Sequence, residues 1–182
     1  MYEQFTARAH AVGAEVHRVH DKTAAVEFIC SVLQQEGLAD MPGCHAVWAA
    51  CPCLDASDRH FLQQQAGIKM QVTRELAATA RFGISQMQWA LADTGSLAQD
   101  SSAIDQRLVS SLPDIHIALL HVNNILPDMP SLLERMPPAQ SPYIAIITGP
   151  SRTADIERVL TIGVHGPERL VIVCVDELGG AH

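Results

Sequence analysis

The stretch Tyr143 to Gly166, YIAIITGPSRTADIERVLTIGVHG, sets the expected class of the fold. Ile144, Ile146 and Ile147 form a short β-branched run without charge, the pattern of a strand covered on both faces. Gly149 and Pro150 break the run. Ser151 and Thr153 are candidate N-caps, and Asp155 and Glu157 place negative charge in a first helical turn. Ile156, Val159, Leu160 and Gly163 follow at helical spacing, with the glycine as the stop. The stretch therefore predicts a buried strand, a tight turn and an amphipathic helix. A turn of that kind aims several backbone N–H groups at one point, which is how α/β proteins hold phosphates and carboxylates.

The rest of the chain repeats this rhythm. Tyr2 to Val12 reads as a short helix ended by Gly13, and Glu15 to Val19 as a strand. Asp21 is a good N-cap for a long helix carrying Ala24, Ala25, Phe28, Ile29, Val32 and Leu33, closed by Gly37. Strands are expected at Ala46 to Ala50 and Ile68 to Val72, with a helix between them from Asp58 to Ala66. This β–α–β–α–β order predicts an α/β fold, a mostly parallel sheet with helices on both faces. Further on, Glu75 to Arg81 and Ile104 to Leu112 read as helices. Met87 to Leu91 reads as a strand reversing at Asp93-Thr94-Gly95 into Ser96 to Ala98. His116 to Val122 and Leu170 to Val175 read as central buried strands. Prolines from Pro127 to Pro142 punctuate a surface crossover with one short helix near Ser131 to Arg135. No internal repeat or linker divides the chain, so residues 1–182 read as one domain.

Composition narrows the partners. Apolar residues are 48% and charged residues 18% of the 182, an ordinary globular balance. Aromatics are 4%, so the core must be aliphatic. Twelve basic against twenty acidic side chains give a net charge of −8, which argues against nucleic acid or an anionic membrane surface as the main partner. An anion site made from backbone groups stays compatible with it. No run approaches a membrane span, and the N-terminus lacks the apolar region of a secretory signal, so a cytoplasmic location is expected. Five irregularly spaced cysteines fit reduced thiols better than a disulfide framework.

Four groups of residues carry candidate chemistry. The backbone of Gly149, Ser151 and Thr153, with Arg152 as a bidentate fork, could hold an anionic ligand; the alternative is a capped helix with an exposed arginine. Asp93 could act as a base or nucleophile at a strand end, with Thr94, Gly95 and Ser96 as ligand contacts; the alternative is a plain hairpin turn. Cys44, Cys51 and Cys53, with His45 and His60 near in sequence, carry metal-ligand chemistry, but Cys51 and Cys53 are one residue apart and no matched pair follows, which favours free thiols. His165, between glycines near the opening turn, could donate to a ligand or shuttle a proton; a structural hydrogen bond is the commoner role. His17, His20, His116 and His121 mark no catalytic set by spacing.

Three ordered blocks resemble the LUD-domain family. The sharpest is Ile147 to Pro167, with Gly149-Pro150-Ser151-Arg152-Thr153-Ala154-Asp155-Ile156-Glu157 and Gly163-Val164-His165-Gly166-Pro167. Phe82-Gly83-Ile84 through Ala92-Asp93-Thr94-Gly95-Ser96 is the second, and Arg107-Leu108 through Leu112-Pro113-Asp114-Ile115-His116-Ile117-Ala118 the third. Ala11-Val12-Gly13-Ala14-Glu15-Val16 resembles the family's entry into its first strand. The resemblance implies a sheet of the kind shared with sugar-phosphate isomerases and coenzyme A transferases. It implies a role in an organic-acid system converting L-lactate to pyruvate, with iron–sulfur clusters carried by partner proteins and no cofactor in this chain. Cys44 to Asp55 matches no part of the pattern, and the family's N-terminal helical extension is short or absent, which leaves the partner-docking surface undefined. Alternatives within the same fold are a self-sufficient isomerase or acyl-transferase-like enzyme using Asp93, or a non-catalytic anion-binding scaffold. In the favoured reading the Asp93–Ser96 and Gly149–Asp155 turns line one cleft at the carboxyl ends of parallel strands.

Overall fold

Asp21 shows how this sequence starts its elements. It ends one strand, and its carboxylate accepts the N–H of Ala24 at 2.8 Å, so the next helix begins at once. In the computed structural model, which describes residues 1–154, 160–163 and 165–178, this alternation runs through the chain. Helix α1 (Tyr2–Ala11) leads into β1 (Glu15–Asp21), α2 (Lys22–Gln35), β2 (Ala46–Trp48), α3 (Ala56–Gln64), β3 (Ile68–Lys69), α4 (Arg74–Ala78) and β4 (Phe82–Met87). Strands β5 (Trp89–Leu91) and β6 (Ser96–Asp100), α5 (Ile104–Ser111) and β7 (Ile115–His121) follow. A 3-10 turn, β8 (Ile125–Leu126), α6 (Met129–Arg135) and β9 (Ile144–Ile147) come next, then β10 (Arg152–Ala154), β11 (Leu160–Ile162) and β12 (Arg169–Glu177).

Six strands form one parallel sheet in the order β1-β12-β7-β4-β2-β3. Alternation along its strands feeds two cores. Ile84, Ile117, Leu119, Val171, Val173 and Val175 face α2 and α3, packing on Ile29, Leu33 and Leu62. Ala118, Leu120, Ile172 and Cys174 face the other way, onto Phe5 and Ala9 of α1 and Leu97 of a second sheet. Val47 and Ala49 on that side meet α4 and α5 through Ala77 and Val109. The expected α/β architecture with helices on both faces is therefore present.

The second sheet has four strands in the order β8-β5-β6-β9. The expected reversal at Asp93-Thr94-Gly95 is there: β5 and β6 are antiparallel, and Gly95 at φ +71 donates to Leu91. Phe82 to Met87 was not expected as a strand. It lies in the middle of the parallel sheet, and its Gly83-Ile84-Ser85-Gln86 run is too polar to read as one.

Two expectations from the opening stretch are corrected. Ile144–Ile147 is not covered on both faces: it is the edge strand β9, antiparallel to β6, and Ile146 is 39% exposed. A short apolar run reads alike in a sheet centre and at an edge. After Pro150 the chain does not start a helix. Arg152–Ala154 pairs antiparallel with Leu160–Ile162, and Gly163, expected as a helix stop, follows a strand. Tertiary contacts decide this, because Ser151 N–H donates to Pro167 and its carbonyl accepts from Gly163, which commits the turn to β pairing. Asp155, Ile156, Glu157 and Val159 lie outside the described residues.

Candidate functional site

The family-like blocks, far apart in sequence, meet at one junction around the C-terminal half of α1. Ser96 opens β6 and Thr148 follows β9, so the register that pairs Leu97 with Ile147 sets these two hydroxyls side by side, 2.7 Å apart. Ser96, 2% exposed, also donates to Thr94 at 2.8 Å. With Ser96 donating to Thr94, it accepts from Thr148, and the hydroxyl of exposed Thr94 is left to donate outward. Asp93 is exposed beside it, with its N–H on the Pro127 carbonyl.

The glycines of the blocks are where α1 touches. A side chain at Gly95 would strike the backbone of Arg8 and Ala9, and one at Gly149 would strike the Val12 carbonyl. Gly149 also sits at φ +72, a conformation other residues rarely adopt. Arg152 donates to that same Val12 carbonyl, so its guanidinium closes the C-terminal end of α1, where the helix dipole favours a cation. The predicted anion cradle is thus built differently from a helix N-terminus: the Ser151 N–H is taken by Pro167 and Arg152 by α1. Thr153 lies in β10, and His165 is exposed in the turn leading to β12, beside Gly166, which packs on Ser151. The structure therefore brings Thr94, Gly95, Ser96, Gly149 and Arg152 together on α1.

The position is also corrected. Val12 and Gly13 enter β1, and Pro167 enters β12, so the 149–152 turn lies at the amino ends of the parallel strands, not at their carboxyl ends. At the carboxyl ends of β1 and β12 a separate cleft of about 510 Å³ opens, lined by Asp21, Lys22, Thr23, Pro52, Cys53, Asp55, Glu177 and Leu178. Lys22 is clasped there by Asp55 at 2.7 Å and Asp58 at 2.6 Å. That contact holds the Asp55 carboxyl well below its ordinary range and raises Lys22. Two glutamines hold the segment that carries Pro52 and Cys53, Gln86 accepting from Cys53 N–H at 3.0 Å and Gln106 donating to the Ala50 carbonyl at 2.8 Å. This cleft was missed in the sequence. Its only local signals are two N-cap aspartates, Asp21 and Asp55, and nothing along the chain says that they meet.

Cys51, Cys53 and Cys174 are core thiols, and Cys30 and Cys44 are half-buried. Cys51, 1% exposed, accepts from Trp48 Nε1 at 3.2 Å. Burial pushes its thiol up to about 12 and that of Cys53 to about 11. Among the described residues no group of three His, Cys, Asp or Glu side chains is placed to hold a metal ion. His116 is fully buried, bonds Ser85 at 2.9 Å, and burial lowers it to about 4, so it is a neutral core histidine.

The model of the LUD domain matches residues 2–175. The chain belongs to the LUD domain family. Among relatives of this LUD domain, Lactate utilization protein C of Exiguobacterium sp. is 34% identical over 114 residues, 59% of this chain and 50% of that protein. Lactate utilization protein C of Oceanobacillus iheyensis is 31% identical over 125 residues, 65% of this chain and 52% of that protein. Uncharacterized protein YkgG of Escherichia coli is 34% identical over 107 residues, 56% and 46%. The chain thus spans about half the length of the curated relatives it matches. The crystal structure of a DUF162 family protein from Deinococcus radiodurans shares the fold at a TM-score of 0.62, covering 96% of this chain and 95% of that one at 23% identity.

Proposed function

We propose that this LUD domain is a cytoplasmic component of an organic-acid utilisation system that oxidises L-lactate to pyruvate. It acts with partner proteins whose iron–sulfur clusters take the two electrons that lactate gives up, and it contributes no cofactor of its own. The observation that carries the reading is the family match over residues 2–175, joined to relatives named for lactate utilisation. The ligand is a small carboxylate at the α1 junction. The hydroxyl relay Thr148–Ser96–Thr94 supports this, because it ends in an exposed donor. Asp93 stands beside that donor as the candidate base, and Gly95, Gly149, Ser151, Arg152, Thr153 and His165 complete the surroundings.

The test has two arms. Expression with its neighbouring gene products is expected to co-purify a cysteine-rich iron–sulfur protein. Calorimetry with lactate and pyruvate is expected to show binding that weakens several-fold in Thr148→Val, which breaks the relay at its far end. Turnover of an isomerase or thioester substrate by the isolated chain, abolished in Asp93→Asn, would instead favour a self-sufficient enzyme of the same fold. Binding without partners or turnover would favour a scaffold.

A further inference from the structure

Ser101 is fully buried, yet its Oγ has no hydrogen-bond partner among the described residues. Its backbone is engaged on both sides. The N–H donates to the Tyr143 carbonyl at 2.8 Å, and the carbonyl accepts from Nη1 of Arg107 at 2.8 Å. Covalent geometry keeps the hydroxyl within about 5 Å of that carbonyl, so it lies beside the guanidinium. A buried hydroxyl is costly unless something bonds it.

Arg107, half-buried in α5, is held in place twice. Nη1 is bonded to Ser101, and the guanidinium carbon lies 4.8 Å from the centre of the Tyr143 ring. Nη1 is the nitrogen on the Cδ side of the group. The opposite edge, Nε and Nη2, has the two parallel N–H bonds that match an oxyanion, and it carries no bond among the described residues. Arg18, Arg81 and Arg169 each pair with a carboxylate; Arg107 pairs with none among those residues. The acids nearest in sequence are turned elsewhere. Asp105 accepts the Ala50 N–H at 3.4 Å and stands roughly 200° around the helix from Arg107. Asp100 accepts the Ser102 N–H at 2.8 Å. The positive end of the α5 dipole adds to the local potential, and Ala103 at the N-cap has no side-chain cap to offset it.

We propose that the Nε–Nη2 edge of Arg107 and the Ser101 hydroxyl hold an oxyanion, the carboxylate or phosphate of a small ligand. Each supplies what the other leaves open, a cation without a counter-charge and a hydroxyl without an acceptor. The Ser101 bond and the Tyr143 ring fix the fork before the ligand arrives, so little side-chain freedom is lost on binding. The site follows the end of β6, whereas Ser96 opens that strand, so it is separate from the α1 junction.

Titration of the full chain with sodium acetate and with sodium phosphate tests this, followed at the Arg107 Nε–H resonance and compared with sodium chloride at equal ionic strength. At least one of the two anions is expected to shift the resonance saturably, and which one does so distinguishes carboxylate from phosphate. Calorimetry then reads the variants. Arg107→Lys, checked for an unchanged circular dichroism spectrum, loses the fork and is expected to weaken binding tenfold or more. Ser101→Ala is expected to weaken it several-fold while the thermal midpoint stays level or rises, because it deletes a polar group that is unpartnered in the free protein. Thr148→Val, which breaks the relay at the α1 junction, is expected to leave the Arg107 titration unchanged, so the two sites stand or fall separately. A resonance that moves with neither anion, or equally with chloride, overturns the proposal. Undiminished binding in either Arg107→Lys or Ser101→Ala overturns it as well.

Discussion

The guanidinium of Arg152 donates to the backbone carbonyl of Val12, 140 residues earlier in the chain. Three family-like blocks come together through this bond, since Val12 also sits against Gly149 and α1 packs on Gly95. Arg152→Met should therefore loosen α1 rather than a remote loop. A loss of about 1 kcal/mol is expected, the usual scale for one hydrogen bond with a helix-end cation. Urea unfolding gives the size, and limited proteolysis should cut first near α1. Unchanged stability with unchanged cleavage would make the contact incidental.

Gly83 offers a sharper test, because the backbone of α5 lies where its side chain would be. A methyl there would strike the Val109 carbonyl and Pro113. Gly83→Ala is expected to cost about 1–3 kcal/mol through overpacking. The thermal midpoint reads this directly, and a midpoint equal to wild type would sink the packing account.

The pH dependence of stability should carry the mark of His116. Burial lowers it to about 4 from an unfolded value near 6.5. The unfolded chain then binds the proton more readily. The stabilising contribution is complete above about pH 6.5 and is lost as pH falls towards 4, over a range worth a few kcal/mol. Denaturant titrations between pH 7 and about 4.5 should show this slope, ahead of the carboxylates Glu36, Asp100 and Asp128, whose lowered values place their losses further down. His116→Gln should flatten the slope; an equally steep one would assign it to other groups.

Thiol labelling should separate the five cysteines. Cys30 and Cys44 are half-buried, and burial raises the Cys30 thiol, whereas Cys51, Cys53 and Cys174 are buried and raised to about 12, 11 and 12 by desolvation. Near pH 8 Cys44 is expected to react first, and those three only on unfolding. Rapid labelling of Cys51 or Cys53 in the folded chain would contradict the packing described.

Much of the fold was legible in the sequence because its elements advertise themselves locally. Asp21 caps the helix it was expected to cap, the apolar runs at His116 and Leu170 are central strands, and the Asp93 turn reverses a hairpin. The misreadings share one cause. Ile144–Ile147 and the residues after Pro150 take their structure from neighbours remote in sequence, Leu97 for the first and Pro167 for the second. The candidate site divides in the same way. Its residues could be named from family-like blocks, but that Arg152 faces a helix end, and that a cleft unites Asp21 with Asp55, are facts of packing which no spacing encodes.

The strand order has a consequence for how the molecule is made. Strand β12 lies between β1 and β7, yet it is the last of the six to leave the ribosome. Until Arg169–Glu177 emerges, β1 has no hydrogen-bonded neighbour in the sheet, and the apolar face of β7 waits beside an empty slot. The sheet can therefore close only once Glu177 has emerged, by insertion of a nine-residue strand into a gap held open by the elements made before it. A nascent chain stalled before Arg169 would present that gap as a natural target for chaperones.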